Sequence, residues 1–178
     1  DVEDASYYGR RFMKKVNSKG TENLLKVAAE KNINHFIFLS SGKVYGNPDT
    51  MPIKEDDPLK PNTPYGKDKV KAEKLCLQFA EEGLPVTIVR PTIITGPGVD
   101  DAMILIILYM ALAMGDSNRL YIAGDGDSRY QLVHPDDVVA ALLAIKHKQV
   151  SKGKIYNIGS DNVPTQLEQV VKVKEIAQ

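Results

Sequence analysis

A single cysteine, Cys76, excludes a disulfide framework and suits a reducing compartment. Neither sign of charge is in excess: 23 basic residues stand against 23 acidic ones, so no basic stripe tracks a phosphate backbone and nucleic-acid binding is not expected. The three histidines, His35, His134 and His147, share no metal-ligand spacing, so no metal is expected. The membrane-like stretch Ala102 to Met114 holds 13 apolar residues, short of the about 20 that span a bilayer. It reads as a buried or substrate-side helix. Asp1-Val2-Glu3-Asp4 has neither the basic flank nor the apolar core of a secretory signal. A cytoplasmic protein with no membrane partner is the expectation.

What the chain does have is a phenol and an ammonium one helical turn apart. Tyr65 and Lys69, in Pro64-Tyr65-Gly66-Lys67-Asp68-Lys69, share a helix face. An isolated tyrosine titrates near pH 10, so ionising it at neutral pH costs about 4 kcal/mol. A cation held against the phenol offsets part of that cost and makes it a usable acid or base. The surroundings suit such chemistry. His35-Phe36-Ile37-Phe38-Leu39-Ser40-Ser41 is an apolar run ending in two hydroxyls, and Val86-Thr87-Ile88-Val89-Arg90-Pro91 is a second apolar run. Buried parallel strands read this way, and functional groups gather at their carboxyl ends.

Helix and strand alternate along the chain, with no repeat and no low-complexity segment. The patterning predicts helices at Asn17–Lys31, Tyr65–Glu82, Ala102–Met114, Asp136–Lys146 and Gln166–Ile176. Strands are expected at His35–Ser40, Val86–Arg90, Leu120–Ala123 and Ile155–Ile158. A long loop from Gly42 to Thr63 is marked by Pro48, Pro52, Pro58 and Pro61, with Pro64 just after it. Helices between apolar strands argue for an α/β fold with a parallel sheet covered on both faces. Tyr65, Lys69, Ala72, Cys76 and Phe79 recur at helical period. That helix is polar at its start and apolar after it, with Cys76 a small core residue rather than a reactive thiol.

Six ordered segments carry a family resemblance. Asn17 to Leu25 resembles an Asn-x-x-Gly-Thr-x-Asn-Leu-Leu block, and Ser40 to Gly46 a Ser-Ser-x-x-Val-Tyr-Gly block. Tyr65 with Lys69 fits Tyr-x-x-x-Lys. Arg90-Pro91 through Gly96-Pro97-Gly98, Val133 to Val138 and Tyr156 to Gly159 are similar to three later blocks. Together they resemble the extended short-chain dehydrogenases/reductases, the NAD-dependent epimerase/dehydratase family. The resemblance runs from about residue 16 to the end. One departure stands out: none of the 13 glycines has the Gly-x-x-Gly-x-x-Gly spacing that opens this family's dinucleotide site. The expectation is a fragment holding an incomplete doubly wound, Rossmann-like sheet. Residues 1–100 would be the half with the Ser/Tyr/Lys site, and 101–178 a small substrate-side region with a returning strand.

The resemblance implies roles. Tyr65 exchanges a proton as hydride moves to or from a nicotinamide; Lys69 lowers its pKa and binds the ribose; Ser41 hydrogen-bonds the reacting oxygen. Asn17, Ser40, Pro91 and Ile94 join Tyr65 and Lys69 around NAD or NADP. Ser41, Lys43, Thr92 and Arg129 meet the substrate. The family's dehydratases and decarboxylases need further acidic groups where this chain has Gly42 and Lys43, so an epimerase or reductase of a nucleotide sugar is expected. Ile93 and Thr95 replace polar substrate contacts of epimerases, and Arg129 sits one residue from the diphosphate-binding position. These leave a hydroxysteroid- or dihydroflavonol-type dehydrogenase open, as well as an inactive fragment serving as an interaction domain. Helices 17–31 and 65–82 resemble the pair through which family members form homodimers, with Val70 and Leu77 facing the partner.

Overall fold

The computed structural model describes residues 12, 15–49, 51–98, 124–146 and 148–177. The expected helix Ala102–Met114 and strand Leu120–Ala123 lie outside them. Among the described residues the elements are α1 (Thr21–Glu30), β1 (Phe36–Leu39), α2 (Pro64–Glu81), β2 (Val86–Pro91), β3 (Ile93–Ile94), β4 (Leu132–Val133), α3 (Pro135–Lys146), β5 (Ile155–Ile158) and α4 (Gln166–Ala177). The chain divides into two compact units: residues 1–92 with 139–158, and residues 93–138 with 159–178.

The first unit is built on a parallel sheet in the order β1-β2-β5. Phe36 pairs with Val86 and Leu39 with Val89; on the other side Ile88 pairs with Ile155 and Pro91 with Ile158. Parallel neighbours need a long crossover, and α2 supplies it between β1 and β2. All six residues of β2 are buried, as its apolar run predicts for a central strand. β5 joins this sheet, although the sequence division at residue 100 groups it with the later region. Leu25 and Ala28 of α1, Ala72 and Cys76 of α2, and Phe38, Leu84, Val86 and Ile88 form the core. Each large apolar side chain so buried contributes about 1.5–3 kcal/mol.

Local chemistry sets the helix ends. Thr63 accepts the Gly66 N–H at 3.0 Å and Pro64 occupies the first turn, so α2 starts at once after the proline-rich loop. The first helix begins differently from the expected Asn17–Lys31. Lys15–Gly20 is π-helical and the α-helix starts only at Thr21, whose hydroxyl donates to the Asn17 carbonyl at 2.7 Å. Such back-bonding offers the backbone an alternative to regular helix, and a wider turn accommodates it.

The second unit pairs β3 with β4 in parallel, Ile93 with Leu132 and Ile94 with Val133. Two-residue strands carry no periodicity, so the sequence patterning passes over them. α4 opens on a reciprocal cap: Thr165 Oγ1 accepts the Glu168 N–H at 3.1 Å, and Glu168 Oε2 accepts the Thr165 N–H at 2.7 Å. The Thr165 bonds hold the Glu168 carboxyl below its ordinary value. No helix among the described residues is long and apolar enough to cross a membrane.

Candidate active site

The carboxyl end of β1 meets the start of α2 at a short 3-10 turn, Gly42–Val44. Ser41 leads into it in extended conformation, and its Oγ accepts the Lys43 N–H at 3.2 Å. Gly42 and Gly66 line the close approaches of this turn, and only at Gly66 would a side chain clash. A Cβ on Gly42 would lie 3.4 Å from the Pro91 carbonyl oxygen at the end of β2. A Cβ on Gly66, in the first turn of α2, would lie 2.5 Å from the Lys43 carbonyl oxygen. The turn is therefore seated directly against the helix that carries Tyr65.

Two ammonium groups flank the Tyr65 ring: Lys69 Nζ is 5.6 Å and Lys43 Nζ 5.9 Å from its centroid. Lys69 Nζ also donates to the Leu39 carbonyl at 2.8 Å and stands 5.1 Å from the Phe38 ring centroid. Burial pulls the Lys69 pKa below its ordinary value, while the nearby Glu73 carboxylate works in the opposite direction. A half-buried ammonium fixed to a strand-end carbonyl can support charge on the phenol beside it. Cys76, below it on the same helix, is fully buried, and burial pushes its thiol up to about 12. It is a core residue, as its place in the apolar stripe predicts.

Beneath these groups lies a polar network that the sequence reading does not include. Glu73 is 2% and Arg90 3% exposed. The guanidinium grips the carboxylate with both Nε and Nη2, at 3.0 and 2.7 Å. Glu73 Oε1 also accepts the Ser40 hydroxyl. The other arm of Arg90, Nη1, donates to the Tyr45 hydroxyl at 2.6 Å and the Glu55 carbonyl at 2.9 Å. Tyr45 donates in turn to Asn157 Oδ1 at 2.7 Å, and Asn157 N–H meets Glu55 Oε1 at 2.8 Å. Burial pushes the Tyr45 phenol up despite the adjacent Arg90, so it remains a neutral donor. β1, β2, β5, α2 and the long loop are thus joined by one set of bonds.

Ser41, Lys43, Tyr65 and Lys69 meet at this edge of the first unit, with Pro91 and Thr92 at the end of β2 behind Gly42. Ser40, expected on the cofactor side, gives its hydroxyl proton to Glu73 and keeps its oxygen as an acceptor. Asn17 lies in the π-helical turn packed against α2, with its carbonyl taken by Thr21. Ile94 and Arg129 belong to the second unit, where Arg129 Nη1 donates to the Val163 carbonyl at 2.6 Å. Two signals point to Glu73 and Arg90 in the sequence alone. Arg90 is a charge within an otherwise apolar run, which burial forbids without a partner. Glu73 extends the Tyr65, Lys69 stripe by one more turn.

Gly66→Ala sets two effects against each other. Helix propensity favours alanine by about 1 kcal/mol. The added methyl meets backbone, not a flexible side chain, and forcing atoms into a packed site costs about 1–3 kcal/mol or more. The clash is expected to win, lowering the melting temperature of the variant. A rise would show that the turn yields.

Residues 1–159 match the model of the "NAD dependent epimerase/dehydratase family". The chain is 36% identical over 171 residues to a UDP-N-acetyl-alpha-D-glucosaminuronate decarboxylase of Bacillus cytotoxicus, covering 91% of this chain and 50% of that one. It superposes on the dTDP-glucose 4,6-dehydratase DesIV of Streptomyces venezuelae with NAD bound, at a TM-score of 0.81 and 26% identity, over 98% of this chain and 54% of that one. A UDP-glucuronic acid 4-epimerase of Bacillus cereus in complex with NAD matches at a TM-score of 0.77 and 26% identity, over 90% and 52%. The chain spans about half the length of these relatives. With the parallel sheet and the Tyr-Lys pair at its carboxyl edge, these likenesses identify the chain as a member of the NAD-dependent epimerase/dehydratase family.

Proposed function

We propose that the whole protein epimerises or reduces the sugar of a nucleotide sugar, with NAD or NADP as hydride carrier. The observation that supports this reading is that the Lys69 and Lys43 ammonium groups lie 5.6 and 5.9 Å from the Tyr65 ring centroid, with Lys43 bonded through its N–H to Ser41 at the sheet edge. Relatives of this chain act, by their names, on UDP- and dTDP-linked sugars. Tyr65 would give or take the proton of the reacting hydroxyl or carbonyl, Ser41 would hydrogen-bond that oxygen, and Lys69 would stabilise the phenolate. The nicotinamide, when bound, supplies the hydride donor and acceptor. The residues present fit its end of the dinucleotide. Lys69 offers its ammonium, and Thr92 Oγ1 at the end of β2 is a buried hydroxyl that has no hydrogen-bond partner in the structure. Asn17, Ser40, Pro91 and Ile94 belong to the same proposal on the cofactor side and Lys43 and Arg129 on the substrate side, with Thr92, expected to meet the substrate, offering its hydroxyl where substrate and nicotinamide would adjoin.

Gly42 and Lys43 offer no carboxylate beside Ser41, which supports hydride transfer without elimination or loss of carbon dioxide. The test is product analysis by NMR. The whole protein, given NAD or NADP and a panel of UDP- and dTDP-hexoses, should change configuration or oxidation state at one carbon. A product lacking water or a carboxyl carbon would replace this reading with the dehydratase or decarboxylase one. No turnover of any nucleotide sugar would remove it.

Assembly through α1 and α2 is part of the proposal. Leu24, Val27 and Leu77 are 63%, 52% and 41% exposed on these two helices, whereas Val70 is half-buried. A homodimer covering the three is expected. Sedimentation showing a clean monomer of the whole protein at tens of micromolar would contradict it.

A further inference from the structure

The last two residues of the β1 segment are bonded to successive turns of α2. Leu39 gives its carbonyl to Lys69 Nζ at 2.8 Å, and Ser40 gives its hydroxyl to Glu73. Ser41 follows immediately, its Oγ held by the Lys43 N–H. Tyr65, Lys69 and Glu73 are spaced by four residues, so the acid-base pair and this carboxylate share one helix face. From β2, Arg90 closes on Glu73 with two bonds, and through Tyr45 and Glu55 it holds the loop that follows the turn. We infer that Glu73, locked by Arg90, is the positioning residue of the site: it fixes the end of β1 against α2, one helical turn from Lys69 on the same face.

The bonds of Glu73 to Ser40 and Arg90 carry this role. Without the Ser40–Glu73 bond, nothing else described ties the Ser40 side chain to α2, and the segment leading into Ser41 is held by its backbone alone, through the Ser40 N–H to the Val89 carbonyl at 2.7 Å. Among the described residues, the groups around Lys69 come from three elements and the turn. On α2 they are Tyr65, Glu73 and the buried Cys76; from β1 come only the Phe38 ring, the Leu39 carbonyl and Ser40; from the turn comes Lys43, which shares the Tyr65 ring. Arg90 acts from β2 through Glu73. Of these, Glu73 carries the negative charge that favours the ammonium, the Leu39 carbonyl and the Phe38 and Tyr65 rings add to it, and the Cys76 thiol is neutral at physiological pH.

The role assigned to Tyr65 and Lys69 rests on the proposed function, but the titration of Lys69 does not need a substrate. In the whole protein, 13C-lysine NMR should show Lys69 titrating roughly one pH unit lower in Glu73→Gln than in wild type. Ser40→Ala keeps the Glu73–Arg90 pair and should fold; its kcat should fall about fivefold or more while KM for the nucleotide sugar stays within twofold. A Lys69 titration unchanged in a folded Glu73→Gln protein overturns the inference. If that variant does not fold, a Ser40→Ala kcat within twofold of wild type overturns it. Wild-type protein that turns over no nucleotide sugar would refute the proposed function instead, leaving the Lys69 titration to decide this one.

Discussion

Tyr65→Phe in the whole protein is expected to lower kcat roughly 10³-fold, about 4 kcal/mol of transition-state stabilisation, with nucleotide-sugar binding within twofold of wild type. Only the phenolic proton is removed, and the ring that stands between Lys69 and Lys43 stays in place. A proton acceptor acts where charge develops, so its loss appears in kcat and hardly in ground-state affinity. The measurement is steady-state kinetics paired with calorimetric binding of the same substrate. A variant keeping half the wild-type turnover would take Tyr65 out of the mechanism.

The second large effect concerns stability. Arg90→Met should destabilise the protein by about 3–5 kcal/mol, because it leaves the Glu73 carboxylate buried without its counter-ion. Coulomb attraction between two exposed charges would be worth far less, but these groups are 2% and 3% exposed and joined by two hydrogen bonds. Three further acceptors or donors, on Ser40, Tyr45 and Glu55, are disturbed with them. Removing both charges, as Glu73→Met with Arg90→Met, should cost less than the single change, since no lone charge remains. Denaturant unfolding of the three variants decides it. A loss below about 1 kcal/mol for Arg90→Met would mean that water reaches the pair.

How far the sequence alone reaches can be seen residue by residue. The apolar run of β2 announces itself because burial on both faces leaves no alternation to interpret, and β1 shows as a short apolar run although it is only partly buried. The Tyr65 helix is equally plain, since Thr63, Pro64 and the stripe through Ala72 and Cys76 agree. By contrast, β3 and β4 are two residues each and depend on a partner far along the chain. The π-helical turn before Thr21 follows from one hydroxyl bond that helix periodicity does not encode. At the site, Tyr65 and Lys69 are legible because their spacing is local. Their fixed bases are not: Lys69 leans on Leu39, 30 residues earlier, and Tyr45 reaches Asn157, 112 residues later. Ser40 illustrates the same limit, since its neighbour Glu73 becomes visible only once α2 lies on the sheet.

In the proposed reaction Tyr65 moves a proton while hydride travels by way of the nicotinamide. A nucleotide sugar deuterated at the reacting carbon tests it most directly, incubated with the whole protein and NAD or NADP in ordinary water. The product of epimerisation is expected to retain the deuterium on that carbon, or in the oxidising direction the label is expected to pass to the nicotinamide. Loss of the deuterium to solvent during turnover would show proton abstraction from carbon and contradict the account.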